Sequence, residues 1–486
     1  MQTGLLAVVL AYFFISIIGI GWLVSKKQKS DDSFLLASRS LNWQVLSITL
    51  ALSILGTPHI FGLFEMSYFM GAVSMWFSFA CTLVLIVLCI WTGPWVRKLN
   101  VSSVPEMLYI LFGKKTRLLM VCVMIPAIWG ITTCELQGMG ITFSLLTGMS
   151  IEHASILGGF LGILYVSMAG LQEVAWLNVV NAAVKYLGLV VAAVFVTMKL
   201  PHGWAGVSQY YIDQDQPWML SIWGTPELFW SFAMGTVVAI LIVHSLGQQL
   251  CQPAMGAKDV GTLRKCLWPA VFINGLLAIF SVTFGMAAKS VPQFSALGPK
   301  MAAITMLLEY LPGFAIALLL CAIFGSMLSS FSATILASAT LYTKDIHSYL
   351  ANGPVSPAEE KKVARMAIII LVIIAAIVAT AMPPIVLALN WLFSWYAPMV
   401  VMILIGLFWK RNETVAVITF LAGWAVNIIW SFTDVAGMLG LEAFKFSNVY
   451  PVLLISLVVG IVLTSIMDGK QAYFAKENQS CIAKSA

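Results

Sequence analysis

Apolar residues in this chain are gathered into runs of about 20 residues, separated by short polar segments. A helix of that length crosses a hydrocarbon core of about 30 Å, so each run predicts a transmembrane helix. A β-barrel would show alternating strands of about ten residues instead. The pattern therefore predicts an all-α polytopic membrane protein with about thirteen helices. They lie near residues 4–24, 43–70, 72–95, 118–147, 155–171, 176–199, 227–250, 264–288, 312–343, 363–382, 385–409, 413–433 and 449–467.

Composition supports this class. Of the 486 residues, 60% are hydrophobic and 9% are charged, and the mean hydropathy is +0.96. A soluble chain is nearer one quarter charged, so a soluble enzyme is excluded. The sequence has no P-loop and no HExxH motif, and its longest polar segments, near 200–226, 289–311 and 344–362, are too short for a catalytic domain. We predict that the protein is not an enzyme.

The positions of the cations predict the topology. Net charge is +6, and roughly 21 Lys and Arg residues lie on the side of the loop after the first helix, against roughly 4 on the opposite side. This asymmetry predicts an amino terminus outside and a cytoplasmic carboxyl terminus in a plasma (inner) membrane protein. The cations alternate with lipid-spanning helices and form no continuous groove, so we predict the lipid bilayer as a partner and exclude nucleic acid.

Polar residues inside the predicted helices are the candidates for function, because burying them in lipid is costly. They are His59, Glu65, Glu135, Gln137, Asn178, Asn181, Lys185, His244, Gln248 and Gln249. Lys185 lies about ten residues into its helix, roughly 14 Å deep, and Glu135 is its best partner by depth. Two interpretations are open: the two form a structural ion pair, or they face a cavity and bind a charged solute. For His59 and His244, hydrogen bonding between helices is the alternative to a solute site.

Two further patterns indicate a site. The second predicted helix contains the segment LGTPH (55–59), in which Pro58 predicts a break. Free backbone groups deep in a membrane are tolerated where they line a cavity, as in transporters. The ninth helix carries Ser326, Ser329 and Ser330 on one face. Their hydroxyl groups suit an alkali cation, and equally suit packing between helices.

Several motifs occur in a characteristic order. They are SFLLASRSL (33–41), VPEML (104–108) followed by FG (112–113), AGLQEVAWLN (169–178), SMLSS (326–330) with KD (344–345), and GLFWKR (406–411). This ordered set resembles the sodium:solute symporter family, which includes sodium-coupled pantothenate, proline and sugar carriers. The resemblance covers nearly the whole chain.

The resemblance implies the inverted-repeat fold of the bacterial leucine transporter, with the second and seventh helices broken. The implied organisation is a peripheral helix and cytoplasmic loop (1–42), a first repeat of five helices (43–199), an outer loop (200–226), a second repeat of five helices (227–409), and two peripheral helices with a cytoplasmic tail (410–486).

The resemblance also implies a co-transported sodium ion. Carried over to this sequence, its ligands are the backbone carbonyls of Leu52, Leu55 and Ser326 and the hydroxyls of Ser329 and Ser330. The chain departs from the family pattern at five places. Asn178 and Ile54 stand where relatives carry acids, and Glu135 stands where many carry Gln. Gln252-Pro253 replaces a Gln-Arg pair after the seventh helix, and Lys185 replaces an apolar residue.

We therefore predict a sodium-coupled symporter that imports a small organic solute by alternating access. The predicted solute is charged or zwitterionic, such as a carboxylate, an amino acid or a vitamin-like molecule. Its predicted binding residues are Thr57, His59, Phe61, Glu135, Gln137, Lys185, His244 and Gln248. Two alternatives stay open: a proton-coupled carrier of the same fold, in which Glu135, Lys185 or a histidine titrates, and a solute sensor that does not transport.

Overall fold

The computed structural model describes residues 2–23, 33–167, 170–351, 355–379 and 385–475. These residues are overwhelmingly helical, which confirms the predicted all-α class. Their only sheet is a pair of antiparallel two-residue strands, Lys410–Arg411 and Lys470–Gln471. The helix ends predicted at residues 24 and 382, and most of the predicted cytoplasmic tail after 475, lie outside the described residues.

Nine helical runs in the described part of the chain are long and apolar enough to cross a membrane. They are Pro58–Lys98, Lys114–Thr147, Leu171–Lys199, Pro226–Leu246, Val260–Ser290, Gly313–Leu350, Ile385–Phe408, Glu413–Phe432 and Val449–Ile466. Outside these runs, the helices of ten residues or more are Gln2–Ser16, Trp43–Leu52, Ile151–Ser167, Gly203–Asp213 and Pro357–Val378.

Two turns divide the long runs. At Gly71 the backbone has φ +58° and ψ −139°, which separates the helices predicted over 43–70 and 72–95. A residue with a β-carbon is strained at such a φ. The helix predicted over 385–409 is divided into Ile385–Ser394 and Ala397–Phe408. Pro398 explains this turn, because proline has no amide hydrogen to donate back and is favoured in the first turn of the helix that follows.

The first broken helix consists of Trp43–Leu52 and a second half that starts at Pro58 and ends at Met70. Asn42 caps its start by accepting a hydrogen bond from the Val45 amide at 3.1 Å. The predicted break is confirmed, since the helix ends after Leu52 and resumes as a π-helical turn at Pro58. Proline suits this restart, because its missing N–H belongs to a position that has no helical acceptor.

The second broken helix consists of Pro226–Leu246 and Gln248–Met255. Between them Gly247 is extended, with φ −63° and ψ +135°. The apolar pattern predicts a continuous helix over 227–250, whereas the break was implied by the family resemblance. The structure confirms the break and locates it at Gly247.

Three long helices surround the two breaks. The Glu135 helix is Lys114–Thr147, the Lys185 helix is Leu171–Lys199, and the serine helix is Gly313–Leu341. The serine helix packs against the other two and lies at the centre of the molecule. In the helical run Gly313–Leu350, which contains it, 83% of the most apolar segment is buried, whereas the value is 28% for Val449–Ile466 at the periphery. The hydroxyl residues of the serine helix from Ser326 to Thr340 are therefore buried inside the protein.

We expect Gly71→Ala to destabilise the fold by about 1–3 kcal/mol because of its positive φ. In addition, the new β-carbon would overlap the Met219 carbonyl oxygen. Thermal unfolding of the purified protein in detergent measures the effect. Gly313→Ala is the matched control, since a β-carbon there meets no atom within 4 Å. Equal unfolding temperatures for the two variants would contradict the account of this turn.

Candidate functional site

The first site feature is the carbonyl group of Leu55, in the break of the first broken helix. It accepts a hydrogen bond from the Lys185 ammonium group at 2.9 Å and another from the Ser326 hydroxyl. Lys185 and Ser326 are both fully buried. The carbonyl end of a half-helix carries partial negative charge, so a cation is stabilised there.

The second feature is the amide of Thr57, two residues further along the break. It donates a hydrogen bond of 2.8 Å to Glu135 Oε2, and the Glu135 side chain is fully buried. The amide end of a half-helix carries partial positive charge and stabilises a carboxylate. The break therefore has a buried lysine at its carbonyl side and a buried glutamate at its amide side.

Lys185 and Glu135 bind the backbone and not each other. The Lys185 nitrogen and the Glu135 carboxylate oxygens are not within 4.0 Å of each other, so they form no direct ion pair. Their opposite charges still stabilise each other across the break, because an uncompensated charge in the interior would be strongly destabilising. A direct structural pair, one of the two interpretations from the sequence, is therefore absent in this conformation.

The predicted sodium ligands lie on the elements that meet at this break. Ser326 bonds to the Leu55 carbonyl, and the Leu52 carbonyl accepts from the Leu55 amide at 3.1 Å. The Ser329 hydroxyl donates to the Gly325 carbonyl at 2.8 Å and accepts from Asn181 Nδ2 at 2.9 Å. A hydroxyl oxygen has two lone pairs, so Ser329 keeps one for another partner.

Asn181 orients Ser329 and is itself held by two tyrosines. Its Nδ2 group also donates to the Tyr165 hydroxyl at 3.0 Å, and its Oδ1 atom accepts from the Tyr12 hydroxyl at 2.6 Å. This network ties the first helix of the chain to the predicted ion site. Sequence reasoning placed Asn181 inside the membrane, but the residues that it would contact depend on how the helices pack.

A small cavity lies between the two breaks. Its volume is about 30 Å³, which is enough for roughly two water molecules. In this conformation the cavity is therefore too small to hold an organic solute. Residues that line it include Pro58, His59, Phe77, Glu135, His244, Gln249, Ser330 and Phe393.

Unpartnered polar atoms belong to four residues that line this cavity. Among the described residues, nothing bonds to Glu135 Oε1, to either ring nitrogen of His59, to His244 Nδ1, or to Gln249 Oε1. Buried polar groups normally have partners, so these atoms are suited to bind a solute.

Aromatic rings form the walls of the cavity around the two histidines. His244 stacks on Phe393 with ring centroids 3.9 Å apart, and the His59 ring lies 4.9 Å from Phe77. His244 Nε2 lies 3.0 Å from Gln249 Nε2. An amide nitrogen only donates, so His244 Nε2 accepts and the neutral ring carries its proton on Nδ1. That N–H is a free donor.

The remaining predicted solute residues lie elsewhere. Phe61 and Gln137 line a second small cavity further along the same two helices, together with Glu65 and Lys300. The Thr57 hydroxyl contacts the Glu135 carbonyl at 3.4 Å. Gln248 lies beyond the second break, where its side-chain oxygen accepts from the Val104 amide at 2.8 Å. Its neighbour Gln249 lines the cavity instead. The sequence could not show which of the two glutamines faces the cavity, because the helix is interrupted at Gly247 just before them.

Gln248 belongs to a polar junction at one end of the bundle. Next to its partner Val104, the Ser103 hydroxyl donates to Asp345 Oδ1 at 2.9 Å. Arg117 Nε donates to the same oxygen at 2.7 Å. These contacts join the second broken helix, the Glu135 helix and the segment after the serine helix.

A helical membrane protein with two broken helices, both of which line one small cavity, has the architecture of a secondary transporter. The family model for the sodium:solute symporter family matches residues 34–423. The chain therefore belongs to this family.

Individual relatives agree with this assignment. The chain is 24% identical to the sodium/glucose cotransporter of Vibrio parahaemolyticus, over 84% of this chain and 81% of that protein. It is 26% identical to the high-affinity choline transporter 1 of Drosophila melanogaster, over 79% of this chain and 63% of that protein. Among solved structures, a substrate-bound, outward-open Na⁺-coupled sialic acid symporter matches with a TM-score of 0.80 and 17% identity, over 96% of this chain and 98% of that one.

These findings confirm the predicted inverted-repeat fold of the leucine transporter and the predicted class. The protein is a multi-pass membrane transporter that couples sodium to the movement of a small solute, and not an enzyme. Sodium is its co-transported ion, so the family favours sodium coupling over the proton-coupled alternative.

We expect Gly56→Ala to destabilise the protein by about 1–3 kcal/mol, since the added methyl group must push neighbouring side chains away. Its β-carbon would overlap Glu135 Oε1 and lie 2.5 Å from Ser330 Cβ. Unfolding in detergent, followed by intrinsic fluorescence, measures the change. Gly275→Ala serves as the control, because a β-carbon there has no neighbour closer than 3.4 Å. A Gly56 variant as stable as this control would refute the tight contact at the break.

Proposed function

We propose that this chain imports a small organic cation or zwitterion together with sodium across the plasma membrane. The solute binds in the cavity between the two breaks. The observation that carries this proposal is that Glu135, a residue that lines the cavity, has a buried carboxylate oxygen (Oε1) with no hydrogen-bond partner among the described residues. An amine or other donor group on a solute supplies the missing partner.

The rest of the cavity supports the same class of solute. The rings of Phe77 and Phe393 offer apolar walls for a compact carbon skeleton. His59, His244 and Gln249 offer unpartnered polar atoms at its edges, which suit hydroxyl, carbonyl or carboxylate groups of the solute. One similar protein is named a choline transporter, and choline is a small organic cation.

The proposed sodium site adjoins this cavity at the first break. Its ligands are the carbonyls of Leu52, Leu55 and Ser326 and the hydroxyls of Ser329 and Ser330. The direct contact of Ser326 with the Leu55 carbonyl supports this grouping. Carbonyl and hydroxyl oxygens are also the hard ligands that a small alkali cation requires.

The two sites share one turn of backbone, which supports direct coupling between them. Gly56 packs against Glu135, proposed to bind solute, and against Ser330, proposed to bind sodium. Sodium that joins the first broken helix to the serine helix also fixes the position of Glu135. Each ligand then favours the other by the same coupling free energy. Rocking of one group of helices against the other releases both inside.

Orientation and repeats complete the proposal. The excess of cations in alternate loops supports an outside amino terminus and a cytoplasmic carboxyl terminus. We propose inverted repeats over 43–199 and 227–409, and a broken helix lies at the start of each.

The sodium site predicts a specific loss. We expect Ser329→Ala combined with Ser330→Ala to weaken sodium binding by about 10- to 100-fold, since two ligand oxygens are removed. Sodium-dependent thermal stabilisation measures it, in matched sodium and potassium chloride, because a ligand of the native state raises its stability. Ser338→Ala is the control, as its hydroxyl donates to the Thr334 carbonyl of its own helix and has no other partner in the described part of the chain. A double variant that keeps the wild-type sodium response would overturn this site.

The solute site predicts a charge requirement. Glu135→Gln keeps an oxygen to accept from the Thr57 amide but removes the negative charge. A hydrogen bond to a charged group contributes about 1.5–3 kcal/mol, so the affinity for an amine solute should fall by about 10- to 100-fold.

Thermal stabilisation by a panel of amines, zwitterions, carboxylates and sugars first identifies the solute class and then measures this loss. Glu65→Gln is the control, because Glu65 lies in the second small cavity and not in this one. If carboxylates or sugars without an amine stabilise the protein, and Glu135→Gln leaves their affinity unchanged, the proposed role of Glu135 is wrong.

A further inference from the structure

The Lys185 ammonium group occupies the place that the proposed sodium ion would need. Its nitrogen is 2.9 Å from the Leu55 carbonyl oxygen, and Leu55 is a proposed sodium ligand. Lys185 has no exposed surface. One turn earlier on the same helix, Asn181 bonds to Ser329, another proposed ligand. The Lys185 helix therefore reaches the proposed ion site with two side chains.

A sodium ion and an ammonium group are both monovalent cations that bind oxygen lone pairs. The Leu55 carbonyl has two lone pairs, and the Ser326 hydroxyl already donates to this oxygen. Sodium beside the Lys185 nitrogen would face a like charge a few ångströms away in an interior with little water, where repulsion is strong. The two cations therefore exclude each other at this carbonyl.

Charge balance leads to the same conclusion. With Lys185 at the carbonyl side of the break and Glu135 at the amide side, the two charges cancel. Sodium added to this arrangement would leave a net positive charge in the buried site. Sodium that replaces the ammonium group keeps the balance near the break.

We propose that Lys185 is a tethered cation that fills the sodium site in the sodium-free protein. Sodium binds when the ammonium group withdraws from the Leu55 carbonyl. This inference rests on the sodium site proposed above. Lys185 then sets the sodium affinity of the carrier, and it stabilises the free carbonyl of the break while the carrier returns without sodium.

The test is a sodium titration of the purified full-length protein at constant ionic strength, with potassium chloride as the balancing salt. Thermal stabilisation gives the half-saturating sodium concentration. In Lys185→Met, which keeps the length of the side chain but removes its charge, we expect this concentration to fall by about tenfold or more. Lys199→Met is the matched control, because Lys199 is exposed at the end of the same helix, and it should match the wild type.

Lys185→Arg is a second test variant. It keeps the positive charge, so its folding does not require the buried site to accept a neutral side chain. Arginine keeps the charge and binds oxygen acceptors more persistently than lysine. We expect its half-saturating sodium concentration to be higher than that of the wild type.

The outcomes separate the two proposals. If Lys185→Met binds sodium no more tightly than the wild type, or if Lys185→Arg binds it as tightly, the tethered-cation role is overturned. If the double serine variant keeps the wild-type sodium response, the sodium site itself is misplaced. Tighter sodium binding in Lys185→Met, together with loss of the response in the serine variant, supports both.

Discussion

The structure depends on satisfying the backbone groups that a broken helix exposes inside a membrane. Water is absent there, so an unpaired carbonyl or amide costs several kcal/mol. In the first broken helix the Leu55 carbonyl is bound by Lys185 and Ser326, and the Thr57 amide is bound by Glu135. These bonds come from three different long helices. These hydrogen bonds therefore satisfy the backbone of the break and also link the three helices to one another.

The same constraint explains why charged residues are found at the centre of so apolar a chain. A lysine at the carbonyl side and a glutamate at the amide side each follow the direction of the nearby helix dipole. Neither charge could be buried alone, because an unpaired charge in the interior is strongly destabilising. Their separation across the break leaves one oxygen of Glu135, a residue that lines the cavity, without a hydrogen-bond partner among the described residues. A structural requirement thus creates a group that can bind solute.

Coupling between ion and solute has a short physical path in this arrangement. Gly56 is the residue on which the two proposed sites meet, because its lack of a side chain lets Glu135 and Ser330 pack against the same turn. In the proposed mechanism, movement of that turn on sodium binding moves both neighbours, since packed interiors do not deform continuously. The cavity between the breaks has room for about two water molecules, so binding of the proposed solute there requires the surrounding helices to move apart.

The sequence by itself determined the membrane class, the position of most helices, the break at Pro58 and, through ordered motifs, the family. These follow from local rules: run length, the missing amide hydrogen of proline, and short motifs that survive in linear order. It also placed Glu135, Lys185 and the serines inside the membrane. The partners of these residues were decided only by the tertiary structure. Lys185 binds a carbonyl 130 positions away, and Gln249 rather than Gln248 faces the cavity. The first contact depends on how the Lys185 helix packs against the first break, and the second depends on how the backbone turns at Gly247. A local sequence pattern predicts neither.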